Sequence, residues 1–184
     1  MNRRYLIMLR LLFIKSPMRR ASYLKKHKVF KNIGDKVMIT SRKIPLYSRL
    51  ISIGDNVWIA SGVEFITHDV THFMLNNIEC NKEKFTERIG CIEVGNNVFI
   101  GTGTKILYDV KIGDNVIIAA GSIVTKDIPA NTVIGGVPAK KICSFEDYIE
   151  KRKRYKISYP PNNKEQHISE QCEKENWDSF FEKR

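Results

Sequence analysis

Aliphatic residues recur in this chain every six positions, and that period restricts the fold more than any other feature of the sequence. Four segments show it most clearly: Ile33-Gly34-Asp35-Lys36-Val37-Met38, Ile53-Gly54-Asp55-Asn56-Val57-Trp58, Val94-Gly95-Asn96-Asn97-Val98-Phe99 and Ile112-Gly113-Asp114-Asn115-Val116-Ile117. Each opens on an aliphatic residue, then Gly, a polar pair and Val. Three of them run into a second hexad, starting at Ile59, Ile100 and Ile118, and Phe65, Ile106 and Val124 mark a third. Neither an α-helix nor a plainly alternating strand repeats this way. Three hexads make a coil of eighteen residues, the separation of Val94 from Ile112. The aliphatic residue at each hexad start is expected to point into a triangular prism and stack on its equivalents in neighbouring coils. Backbone groups then pair from coil to coil, so each repeat depends on its neighbours.

The repeat spans residues 33 to about 142, and its seven hexads resemble those of the hexapeptide-repeat acyltransferases, which include galactoside, maltose and serine acetyltransferases. The resemblance implies an all-β core, a left-handed parallel β-helix. The handedness belongs to the resemblance alone, since parallel crossovers are right-handed as a rule. It also implies acetyl-CoA as co-substrate, no required metal, and a homotrimer.

Two departures from the period locate the unusual regions. Ile33 and Ile53 are twenty residues apart, so two extra residues bulge between Ile39 and Ser52. Ile53 and Val94 are forty-one apart, which is one coil plus twenty-three, so a loop over residues 71–91 leaves the prism and returns. Structureless loops of that length in a compact domain are commonly functional.

Transfer of an acetyl group from a thioester to an alcohol needs a base near neutral pH, a donor to the oxyanion and alignment of two substrates. Histidine is the natural base. Of the four, His27 lies in a basic arm and His167 in a charged tail, which leaves His68 and His72 at the mouth of the long loop. In the related sugar acetyltransferases the catalytic histidine falls at this point, and the resemblance assigns the role to His68, with His72 the lesser candidate. Glu64 and Asp69 are the nearby acids that could orient its ring, although successive strand residues face opposite ways. Some relatives bind sugar through an asparagine on the preceding coil. Here the nearby positions are Thr40, Ser41 and Arg42, so Thr40, Arg42, His72 and Phe73 are the acceptor-side candidates.

The closing segments, Ile118 to Pro129 and Gly135 to Ile142, are similar to the coenzyme A end of these enzymes. The resemblance places Phe99, Thr102, Ala120, Thr125, Lys126 and Lys140 against coenzyme A, with the two lysines reaching phosphates as mobile point charges. The implied acceptor is a sugar hydroxyl of a surface polysaccharide, lipopolysaccharide or precursor. Acetylation of a streptogramin- or chloramphenicol-type antibiotic and a non-catalytic scaffold are the alternatives. A zinc hydratase on the same fold would need three histidine ligands, and no histidine lies between His72 and His167.

The formal charge of +11 taken alone suggests nucleic acid, but its distribution does not. Residues 1–31 hold ten Lys or Arg and no acid, residues 32–142 twelve against eleven, and residues 143–184 nine against nine. No groove-fitting basic stripe with interleaved readers is present. The basic arm, residues 1–31, reads as helix, either packed over the first coil or lying on an anionic membrane. Its apolar run from Tyr5 to Ile14 is interrupted by Arg10 and is too short to span a bilayer. Residues 143–184 read as a charged helical tail shielding the open end of the prism. The four cysteines lack metal or redox spacing, so a reduced cytoplasmic setting is expected, extending to the inner membrane face if the arm lies on lipid.

Overall fold

The computed structural model describes residues 3–78, 84–154 and 168–182; Cys80, Pro160, Pro161 and His167 lie outside them. Helices α1 (Arg3–Phe13) and α2 (Pro17–Lys26) precede the coils. The first coil supplies β1 (Asn32–Ile33) and β2 (Met38–Ile39). The second supplies β3 (Ile51–Ile53), β4 (Val57–Ile59) and β5 (Glu64–Ile66). Strand β6 (His68–Asp69) leads out to α3 (Thr71–Asn76), and β7 (Arg88–Ile89) leads back. Then come β8 (Ile92–Val94), β9 (Val98–Ile100), β10 (Lys105–Leu107), β11 (Val110–Ile112), β12 (Val116–Ile118), β13 (Ile123–Val124), β14 (Thr132–Gly135) and β15 (Lys140–Ser144).

Successive coils stack into three sheets, ordered β1-β3-β8-β11, β2-β4-β9-β12-β14-β15 and β5-β10-β13. Every pairing within them is parallel except β14 with β15. The hexad starts fall in register, with Ile53 opposite Val94 and Val94 opposite Ile112, and likewise Ile59, Ile100 and Ile118. All six are essentially inaccessible to solvent, and they form the axis of one continuous apolar core.

The corner after each first strand is built from the polar pair. Asn56, Asn97, Asn115 and Asn131 adopt left-handed backbone angles, with φ between 52° and 59°, a conformation that asparagine tolerates better than most side chains. Their side chains join coil to coil: Asn56 Nδ2 donates to Asn97 Oδ1 at 2.9 Å, Asn97 to Asn115 at 3.0 Å and Asn115 to Asn131 at 2.9 Å. The residues before Asn56, Asn97 and Asn115 each accept a backbone N–H from the preceding coil, as Asp114 Oδ1 does from Asn96 N at 2.6 Å. Gly54 stands where two coils approach closely, and a Cβ there would lie 2.6 Å from the Gly95 carbonyl oxygen.

The first coil lacks a third strand. Its two extra residues fall in an irregular run, 40–47, that ends at Tyr47 in a left-handed conformation (φ 52°) and a 3-10 turn over Ser48–Leu50. Consequently β5 is an edge of the third sheet. The long insertion is not structureless either. Strands β6 and β7 pair antiparallel at its base, and the Asn76 side chain clasps Phe85 through two hydrogen bonds of 2.9 Å to its backbone.

The basic arm packs on the first coil. Ser16 caps α2, with Pro17 at its first turn, and Ala21 and Leu24 are buried together with Ile7 and Leu11 of α1. Arg20 is buried with them (2% exposed) and donates to three carbonyls: Ile39 at 3.0 Å, Ile14 at 2.7 Å and Lys15 at 2.8 Å. Burial, with Arg42 adding a smaller repulsion, lowers its pKa from the usual arginine value.

Strand β15 runs antiparallel to β14 and carries the chain two residues past the expected boundary at 142, before α4 (Phe145–Lys153). Residues 147–184 form a separate compact unit. Within it α5 (Glu170–Glu182) starts at Ser169, whose hydroxyl accepts from Cys172 N at 3.2 Å, and carries a cluster of Trp177, Phe180 and Phe181.

Replacing Arg20 by alanine leaves three carbonyls without their donor, and should lower stability by about 2–4 kcal/mol in denaturant unfolding. Lysine at this position should recover only part of the loss, since one ammonium cannot reproduce the guanidinium fork. A change below about 0.5 kcal/mol for Arg20→Ala would show that the buried guanidinium does not fasten the arm.

Candidate active site

The second coil delivers His68 to the edge of the prism because the chain turns out of β5 there. Thr67, buried at this turn, donates to the Leu46 carbonyl at 2.6 Å, and its own carbonyl accepts from Gly90 N at 2.9 Å, so exit and return of the insertion are tied at one point. A Cβ at Gly90 would displace the Asp109 carboxylate, which lies against the return. His68 pairs across β6 and β7 with Ile89, and its ring meets Tyr47 edge-on at 5.4 Å and 87°. The Tyr47 hydroxyl is held in turn by Glu87 at 2.8 Å, a bond that raises the Tyr47 pKa above the usual phenol value.

His68 opens on a cavity of about 840 Å³ in the space left by the missing third strand of the first coil. Phe30, Ile44, Leu46, Val63 and Phe65 give it a mainly apolar lining, and Arg4, Arg42 and Lys43 add positive charge. Arg42 therefore shares a cavity with His68, whereas Thr40, at the end of β2, is not part of its lining. His72 and Phe73 lie on α3 with their rings 4.1 Å apart and also stand outside that lining.

Neither nearby acid holds the His68 ring. Glu64 pairs with Lys105 at 3.5 Å. Asp69 accepts from Thr71 Oγ1 at 2.6 Å, Tyr108 Oη at 2.7 Å and Thr71 N at 3.1 Å. Those bonds, the Thr71 hydroxyl first, lower the Asp69 pKa to about 2, and the same contact raises that of Tyr108. Arg88 completes the group, lying over the Tyr108 ring at 4.8 Å and pairing with Asp109 at 3.5 Å. His68 Nδ1 is buried, with no hydrogen-bond partner among the described residues.

The residues assigned to coenzyme A fall into three places. Thr125, Lys126 and Lys140 line one cavity of about 350 Å³ near the last coil. Thr102 and Ala120 occupy equivalent corner positions on successive coils, where Gly121 N donates to the Thr102 carbonyl at 2.8 Å. Phe99 faces outward from the flat middle sheet, in register with the equally exposed Trp58. Tyr47, Tyr108 and Glu87 are site residues that the repeat does not mark. Among the described residues, no group of three or more His, Cys, Asp or Glu is arranged to hold a metal ion.

Residues 92–126 match the family description bacterial transferase hexapeptide (six repeats). The chain carries a hexapeptide transferase repeat domain. It is 51% identical over 104 residues to protein CapG of Staphylococcus aureus, a match covering 55% of this chain and 57% of that protein. It is 44% identical over 99 residues to galactoside O-acetyltransferase of Escherichia coli K12, covering 53% and 45% respectively. The chain thus spans about half the length of the curated relatives it matches. Among solved structures, a galactoside acetyltransferase in complex with coenzyme A superposes with a TM-score of 0.56, 29% identity and coverage of 85% of this chain and 84% of that one.

Asp69 yields a test of the network beside His68. Its carboxyl titrates lower in the folded chain than the ordinary value of 3.8. Its contribution is therefore present above about pH 4 and is lost as the pH falls toward 2. Acid unfolding followed by circular dichroism should show wild type losing stability more steeply than Asp69→Asn across this window. Parallel curves would mean that the three bonds to Asp69 do not persist in solution.

Proposed function

We propose that the chain is an acetyl-CoA-dependent O-acetyltransferase acting on a sugar hydroxyl of a surface glycan or its precursor, with His68 as general base. The observation that carries the reading is the position of His68, at the one large interruption of the hexapeptide repeat and beside a cavity of about 840 Å³. The likeness to a galactoside acetyltransferase solved with coenzyme A supports the donor, and the curated sugar acetyltransferase relative supports the acceptor class. The left-handed sense of the coil and a cytoplasmic setting belong to the same reading.

In the proposed step the acceptor hydroxyl gives its proton to His68 Nε2, the ring nitrogen opposite the buried Nδ1, while its oxygen attacks the thioester carbonyl. The tetrahedral intermediate collapses with cleavage of the carbon–sulfur bond, and the imidazolium returns the proton to the departing thiolate. Lys126 and Lys140 bind coenzyme A phosphates, and Thr125 borders them in the same cavity. Thr102, Ala120 and Phe99 provide the surface along which pantetheine lies. Arg42 contacts the acceptor in the His68 cavity.

His68→Ala should lower turnover by roughly two to four orders of magnitude and leave acetyl-CoA binding nearly intact, whereas His72→Ala should be much milder. Thiol release from acetyl-CoA with a panel of glycans, sugar nucleotides and antibiotics measures both. A larger loss at His72 would move the base, and no turnover with any acceptor would favour a scaffold.

The reading includes a closed C3 trimer with the site shared between neighbouring chains. Inactive His68→Ala and Lys126→Ala/Lys140→Ala chains, co-expressed, should then rebuild about a quarter of the sites. Folded mixed trimers without recovered activity, or a monomer by light scattering, would reject the shared site.

A further inference from the structure

Helix α1 is apolar on two sides, and only one of them is used. Ile7 and Leu11 are buried against the first coil and Met8 packs beside them. At about 100° per residue, Tyr5, Leu6, Leu9, Leu12 and Phe13 form a second stripe roughly 120° wide. All five are exposed, Phe13 to 73%, and Met18 at the start of α2 is exposed as well. A helix apolar all round is normally buried all round, and an exposed patch of this composition marks a contact surface.

We infer that the outer face of α1 docks on an anionic lipid bilayer. The choice of occupant follows from charge. Residues 1–31 carry ten Lys or Arg and no acid. Of these, Arg20 is buried on backbone carbonyls and Lys25 pairs with Asp35. Arg3, which also donates to the His27 carbonyl at 2.9 Å, and Arg10 lie at the margin of the stripe, and Lys15 and Arg19 follow within the next turns. A second copy meeting this face about a twofold axis would bring two such sets together, with no acid in either arm to offset them. An anionic surface meets the stripe with hydrocarbon and its margin with opposite charge, the combination that binds interfacial helices. With eleven residues α1 is about 16 Å long, and among the described residues no helix is long and apolar enough to cross a membrane. The helix therefore lies in the interface.

The other side of α1 gives this contact a role. Arg4 and Met8 line the cavity that also contains His68, so docking brings the acceptor cavity close to the headgroups and favours a lipid-linked saccharide as acceptor. That consequence rests on the acetyltransferase reading; the docking does not.

The test is co-sedimentation of the full chain, without acetyl-CoA, with vesicles of phosphatidylcholine alone or containing about 30 mol % phosphatidylglycerol. Binding to the anionic vesicles only is expected, and it should collapse in 1 M salt, where the screening length is about 3 Å. Leu9→Ser/Phe13→Ser, altering two exposed side chains, should weaken partitioning by about tenfold or more with thermal unfolding unchanged. Arg10→Gln/Lys15→Gln/Arg19→Gln should remove the preference for anionic lipid. The inference fails if wild type ignores anionic vesicles, or if both variants bind like wild type. It fails equally if Leu9→Ser/Phe13→Ser lowers the oligomer mass while wild type binds no lipid, since a second copy would then cover the face. His68→Ala should bind vesicles like wild type, so loss of the catalytic reading leaves this result intact.

Discussion

The stacked corner asparagines are the constraint on which the rest of the molecule depends. A triangular coil needs a sharp bend every six residues, and each bend exposes backbone polar groups that no strand partner can reach. At one corner of each coil from the second onward asparagine answers both needs, because it accepts the left-handed conformation and its amide bonds to the next asparagine along the axis. The residue before it accepts a backbone N–H from the neighbouring coil. These bonds set the vertical registration of the coils, and the Ile and Val columns fall into line because of it. The core is thus ordered from its surface inward.

The interior was legible in the sequence because a fixed period repeats it, and each copy of the motif corroborates the others. The aliphatic columns, the three faces and the insertion after Val70 all followed from counting sixes. What escaped were contacts without a periodic signature. Tyr47 lies in the irregular stretch that replaces the third side of the first coil, and its meeting with His68 is a matter of three-dimensional closure. Tyr108 reaches Asp69 across thirty-nine residues. Helix α3 was hidden inside an insertion that reads as loop. The arm was read as either coil cap or membrane helix; the structure seats one side of α1 on the coil and leaves the other exposed.

The missing third strand links these features. Two extra residues in the first coil break the stacking on that face and leave β5 as an edge. An edge strand inside a regular prism would be a liability, but here the opening becomes a cavity walled by α1 and the irregular stretch. The same irregularity that interrupts the fold thus leaves an open cavity next to a histidine that a regular coil would have left on a flat wall.

Arg20 and β15 act on opposite ends of the middle sheet. At one end the buried guanidinium occupies the Ile39 carbonyl on the outermost strand; at the other, β15 runs antiparallel to its neighbour and ends the parallel stacking. A solenoid with bare ends could add coils from another molecule without limit and grow into a fibre. With one end of its longest sheet covered by the buried guanidinium at Ile39 and the other turned antiparallel, that sheet offers a further coil no continuous parallel edge on which to stack.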